Sequence, residues 1–151
     1  MKVVFDCREL TTPDPPAGIG NYIYSLFSEL ASLEDSGLDL TALCDGQRRI
    51  FQDPIHVNQT DLSDQYGGKL FRTLWEIFSW GRWVDRLGVD LFHSTAHLAP
   101  GEMKIPLVVT VHDATNFIFP GWYSLTNQMN RAFQLRRAIR AASRIIAVSH
   151  S

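Results

Sequence analysis

Apolar and polar positions along the chain follow two rhythms. Residues 2–7 (KVVFDC) are a short run of β-formers that ends in polar residues, the pattern of a strand buried on both faces. Pro13, Pro15 and Pro16 follow, each fixing φ and removing a donor, so 11–18 reads as a loop. From there Ile19, Tyr22, Ile23, Leu26, Phe27, Leu30 and Leu33 recur at three and four, which predicts a helix with one buried stripe, ended by Ser36 and Gly37. Residues 38–44 (LDLTALC) alternate as a second strand, and 54–57 reads as a weaker third within the polar, irregular stretch 45–66.

The second half repeats the scheme. Residues 69–87 (KLFRTLWEIFSWGRWVDRL) read as one long helix. At about 100° per residue, Leu70, Phe71, Leu74, Trp75, Ile77, Phe78 and Val84 share a wide arc around Gly81, expected to face the sheet, while Trp80 and Trp83 fall off its middle. Strands are expected at 89–93 (VDLFH) and 106–112 (PLVVTVH), a helix at 123–142, and a last buried strand at 144–148 (RIIAV). Strands separated by helical patterns imply right-handed βαβ crossovers. The fold class is therefore α/β, a doubly wound parallel sheet of Rossmann-like type with helices on both faces. With 151 residues, one domain is expected. Sites on such sheets gather at the carboxyl ends of strands, where strand order reverses.

Composition narrows the setting. No apolar run approaches the roughly 18 to 20 residues of a membrane-spanning helix, and the opening Met1-Lys2-Val3-Val4-Phe5-Asp6 turns acidic too soon for a signal peptide, so a cytoplasmic protein is expected. Cys7 and Cys44 form no disulfide framework or zinc motif, and both are expected to be buried or half-buried thiols. Residues 1–66 carry four Lys/Arg against eleven Asp/Glu, and 67–151 ten against five, so the second half is basic.

Two short segments carry candidate chemistry. Gly18-Ile19-Gly20-Asn21 stands where a loop meets a helix, so free backbone N–H groups and the positive helix end could hold a diphosphate; equally, the turn could need small residues for its own shape. It is not the dinucleotide fingerprint, because Tyr22 and Ile23 stand where the third glycine belongs. His112 and Asp113 follow the most apolar strand and emerge where the sheet opens, either as functional groups or as a backbone-satisfied His and a turn-capping Asp. His93 and His97 are four apart, but Pro100 and Gly101 argue for a loop rather than a helical metal site, and no metal is expected.

Five segments in order resemble a family: Asp6-Cys7-Arg8 after a buried strand, Gly18-Ile19-Gly20-Asn21-Tyr22, Val89-Asp90-Leu91-Phe92-His93-Ser94, Val109-Thr110-Val111-His112-Asp113, and Ile145-Ile146-Ala147-Val148-Ser149. Together they resemble the N-terminal domain of group 1 glycosyltransferases (glycosyltransferase family 4, GT-B fold). The resemblance implies one half of a two-domain, retaining enzyme, whose other half holds the nucleotide-sugar. It also implies that Gly18, Ile19 and Gly20 approach the donor diphosphate, that His112 lies by the transferred sugar, and that Arg8 and Asp113 line the cleft. The partners implied are a nucleotide-sugar donor, taken as substrate and not cofactor, a glycan or lipid acceptor, and the protein's own C-terminal domain; nucleic acid is not among them. The family's paired glutamates lie in that second domain, so the chain is expected to be a fragment without activity of its own.

Two other readings stay open: a stand-alone flavodoxin-like or nucleotide-binding module, and a nicotinamide oxidoreductase, which would need the missing glycine fingerprint. Trp80 and Trp83 beside Lys69, Arg72 and the basic residues Arg136, Arg137 and Arg140 also suit peripheral contact with a membrane or glycolipid, or simply a covering by a neighbouring element.

Overall fold

The computed structural model describes residues 1–10, 18–33, 36–44, 58–61, 68–96, 100, 102–113, 118–122 and 124–148. Its strands are β1 (Lys2–Asp6), β2 (Asp39–Cys44), β3 (Asn58–Asp61), β4 (Leu91–Ser94), β5 (Leu107–Val111) and β6 (Arg144–Ala147). Its helices are α1 (Ile19–Ser32), α2 (Gly68–Phe78), α3 (Trp80–Arg86) and α4 (Leu125–Ala141), with a 3-10 turn at Pro120–Trp122.

The strands form one sheet in the order β3-β2-β1-β4-β5-β6, and every pairing is parallel. The chain winds outward from β1 through β2 to β3, returns to the other side of β1 as β4, and winds outward again. Strand order therefore reverses between β1 and β4, and a crevice opens there at the carboxyl ends of the strands. This is the doubly wound α/β architecture the sequence predicts.

Alternation along each strand divides the core. Val3 and Phe5 of β1 with Leu40 and Ala42 of β2 face Ile23 and Phe27 of α1. Val4, Leu43, Phe92, Leu107 and Val109 face the opposite way, against Trp80 and Val84 of α3 and Ala138 of α4. Cys7 and Cys44 are buried free thiols, as expected. Burial, then Cys44 and Asp6, push the Cys7 thiol well above its ordinary range, so it stays protonated and unreactive.

Three expectations are corrected, and a fourth falls on residues outside those described. The third strand is β3 at Asn58–Asp61, while the expected stretch 54–57 lies outside the described residues. Helix α1 closes at Leu33, whose N–H donates to the Leu30 carbonyl; Gly37, at φ +63°, instead turns the chain into β2.

The long helix over 69–87 is two helices, broken at Ser79, where φ is −119°. The backbone stays in step across it, the Ser79 N–H donating to the Trp75 carbonyl and the Trp83 N–H to the Ser79 carbonyl, so the buried side is turned away from the expected arc: Trp80, Gly81 and Val84 meet the sheet while Phe71, Leu74 and Phe78 of α2 are exposed. Trp80, at 1% exposure, packs edge-on against Phe92 with ring centroids 5.6 Å apart, and Trp83 lies against the same core with Trp75 beside it at 6.1 Å. The membrane face built on these two tryptophans is therefore removed.

Lastly, β6 is exposed along its whole length, not buried; it is the outermost strand of the sheet and, among the described residues, pairs with β5 alone. Among the described residues no helix is long and apolar enough to cross a membrane.

Candidate active site at the carboxyl end of the sheet

The carboxyl ends of β1 and β4 flank the point of reversal. Asp6, the last residue of β1, holds Arg8 in a two-pronged pair: Nε of Arg8 donates to Oδ1 at 2.8 Å and Nη2 to Oδ2 at 2.8 Å. The remaining nitrogen, Nη1, donates to Glu76 of α2 at 2.6 Å, and the guanidinium lies 4.0 Å over the Trp80 ring. Burial works against the Arg8 charge, but Asp6 and then Glu76 outweigh it and hold the group protonated well above its ordinary value. Arg8 is thus turned into the protein, its side chain only 2% exposed, and it braces α2 and α3 against the end of β1.

Opposite, the hydroxyl of Thr95 donates to the Asp6 carbonyl and ties the end of β4 to that of β1. The carbonyl of Thr95 in turn accepts a hydrogen bond from Nε2 of His112 at 2.7 Å. A carbonyl can only accept, so Nε2 carries a proton here, and in the tautomer that leaves the ring uncharged Nδ1 is the acceptor. His112 is half-buried just past β5, and Asp113 beside it is exposed.

From the other side comes α1. Its first turn begins at Gly18, at φ +56° and ψ −125°, a region open to glycine alone. A Cβ built at Gly18 would meet nothing within 4 Å, so the space above it is open. Among the described residues no side chain caps the helix and no acidic residue lies in its first turn, so nothing described there meets its leading N–H groups or offsets its positive dipole end. Gly20 is buried in the same turn.

Tyr22, one turn along, joins the parts. Its ring meets His112 edge-on, centroids 4.9 Å apart, and its hydroxyl lies 3.1 Å from the hydroxyl of Thr110. Thr110 also lies 2.8 Å from Nε2 of His93, a buried ring packed on Phe5. Burial lowers the His93 pKa to about 4, so it is neutral. His93 is therefore a core member of this network; its sequence neighbour His97 lies outside the described residues. No group of three or more His, Cys, Asp or Glu suited to a metal occurs among the described residues.

Thus Gly18, Ile19, Gly20, His112 and Asp113 gather at one end of the sheet, whereas Arg8 serves from beneath. Sequence reasoning gave no role to Tyr22, Thr95 or Thr110. Tyr22 sits four residues after Gly18, one helical turn, which was the available signal for its closeness to the loop; Thr95 and Thr110 offered none, because only strand register places them here.

Among family models, the one described as Glycosyltransferase Family 4 matches residues 16–151. A comparison with curated proteins finds no match.

Proposed function

Because the chain belongs to glycosyltransferase family 4, we propose that it is the acceptor-side half of a retaining transferase that moves a sugar from a nucleotide-sugar onto a glycan, lipid or polysaccharide-precursor acceptor. The observation that carries this reading is the packing of Tyr22 on His112, which sets the leading N–H groups of α1 and the His112 ring at one end of the sheet.

In this reading the donor diphosphate lies over Gly18, Ile19 and Gly20, and the helix end offsets the negative charge that builds on the leaving group. His112, with Nε2 committed to Thr95, offers Nδ1 to a hydroxyl of the transferred sugar. Asp113 faces the acceptor, and Arg8 holds the cleft floor without touching the donor. The opposing wall is a second, donor-binding domain. The chain alone therefore transfers no sugar, since a transition state needs both walls. Its buried, reduced thiols suit the cytoplasm.

The test is His112→Ala in the enzyme carrying both domains. The expected loss in kcat/KM is on the order of 10², as for one contact made in the transition state, with a nearly unchanged melting temperature. Unaltered kinetics with a lowered melting temperature would make His112 a packing residue and overturn the reading.

A further inference from the structure

Beyond His112 and Asp113 the chain makes a 3-10 turn, Pro120–Trp122, and only then starts down the sheet as α4. Because α4 links the carboxyl end of β5 to the amino end of β6, this turn stands on the same rim as the site. It carries two aromatic rings laid face to face. The centroids of Phe119 and Trp122 are 4.6 Å apart with 12° between the planes, and the Trp122 N–H donates to the Phe119 carbonyl at 3.1 Å.

Neither ring belongs to the core. Trp122 is 72% exposed and Phe119 46%, whereas the other three tryptophans all pack against the sheet. What sets these two rings apart from the other exposed apolar side chains is that they are stacked on one another at the site's own rim. A Cβ added at Gly121, between them, would meet nothing within 4 Å, so no described atom crowds the turn there.

The shape and chemistry of this plate select its ligand. Because the two rings lie on one another, the surface on offer is the outer face of Trp122, backed by Phe119, and the segment 118–122 (IFPGW) carries no charged side chain to pair with a phosphate or a lipid head group. A pyranose ring has one face lined by C–H groups. Their partial positive charge meets the negative face of an aromatic ring, while the hydroxyls at the sugar's edge stay hydrated. The plate also stands on the rim where, on the reading above, an acceptor must arrive.

We propose that the outer face of Trp122, with Phe119 stacked behind it, is a platform for a pyranose ring of the acceptor, so that the acceptor is a saccharide. The proposal rests on the acceptor-side reading given above and names the substrate class that reading left open.

The experiment uses the full chain with its tryptophans labelled with ¹⁵N, so that each indole N–H is seen separately. The chain is titrated with maltotetraose, cellotetraose and chitotetraose. The Trp122 signal is expected to shift saturably with at least one of them, in the millimolar range, while the Trp80 signal stays in place. By backbone amide shifts around the turn, Trp122→Ala should abolish this binding and Phe119→Ala should weaken it several-fold. Both variants should melt like the parent, because both rings stand in solvent. Absence of any shift at tens of millimolar sugar, or undiminished binding by Trp122→Ala, overturns the proposal. So does a Trp122 signal that responds to phosphatidylcholine vesicles and to none of the sugars, which would make the turn a membrane contact. The titration reads sugar binding without any transfer, whereas the His112→Ala test reads kcat/KM in the two-domain enzyme, so the two ideas fail separately.

Discussion

The ring of His112 stands edge-on to that of Tyr22, 86° between their planes, and so the first turn of α1 and the end of β5 are held as one unit. Such a contact is worth about 0.5 to 1.5 kcal/mol beyond its buried area. It leaves the His112 ring little freedom to rotate off the Thr95 carbonyl.

Removing that ring should therefore cost more than removing its hydroxyl. In the two-domain enzyme, Tyr22→Leu is expected to lower kcat/KM on the order of 10-fold, because about 1 Å of misplacement is costly at a reacting centre. Tyr22→Phe keeps the ring and should retain most of the activity. Steady-state kinetics of the two variants decide it; equal losses would move the role to the hydroxyl and its Thr110 partner.

Gly18→Ala isolates backbone strain, since the added methyl has free space and only the dihedral angles object. Denaturant unfolding should show a loss of about 1 to 3 kcal/mol. Gly20→Leu acts differently. It places a side chain in a buried position of the turn and should weaken donor binding in the full enzyme, measured by calorimetry with the nucleotide-sugar.

His93 makes stability depend on pH. Unfolded, its ring takes up a proton near its ordinary value of about 6.5; folded, it does so only near 4. Between those values unfolding binds a proton, so the contribution is full above about 6.5 and is lost as pH falls towards 4. From pH 7.5 to pH 5 the loss is on the order of 2 kcal/mol. The comparison that isolates this ring is with His93→Asn. That variant should show a flatter fall in unfolding free energy over this interval, and an identical slope would remove His93 as the cause.

Arg8 is the case where like charge is not enough. Arg8→Met leaves Asp6 buried without its partner and should destabilise the chain by roughly 3 to 5 kcal/mol. Arg8→Lys should rescue little of this, because an ammonium cannot span both Asp6 oxygens and Glu76 while lying over Trp80. Chemical denaturation of both variants measures it, and full rescue by Lys would reduce the cluster to a matter of charge.

The sheet was legible from the sequence because its inner strands are buried on both faces: KVVFD and LVVTV read as strands whatever surrounds them. The parallel winding followed from the helical patterns between them. Ser79 was not legible. An apolar pattern running unbroken from Leu70 to Val84 gives no sign that the helix stops between Phe78 and Trp80, and with aromatics nearly all round it the pattern could not show which side meets the sheet, so Trp80 is buried and Phe71 and Phe78 are exposed. For the site, position at a strand end located His112, Asp113 and the glycine turn. It could not show that the Arg8 charge is consumed by Asp6 and Glu76, since a contact across 68 residues leaves no local pattern.

The bare flanks of β6 also govern how the chain behaves in the test tube. Ile145, Ile146 and Val148 are all substantially exposed, and the outer edge of β6 pairs with no other described strand. Such an apolar edge is a template onto which another extended chain can hydrogen-bond. Arg144, at its start, is the single charged residue within Arg144–Ala147 and acts as the gatekeeper against such pairing. A lysine in place of Ile146 is therefore expected to raise the concentration at which the chain remains dispersed.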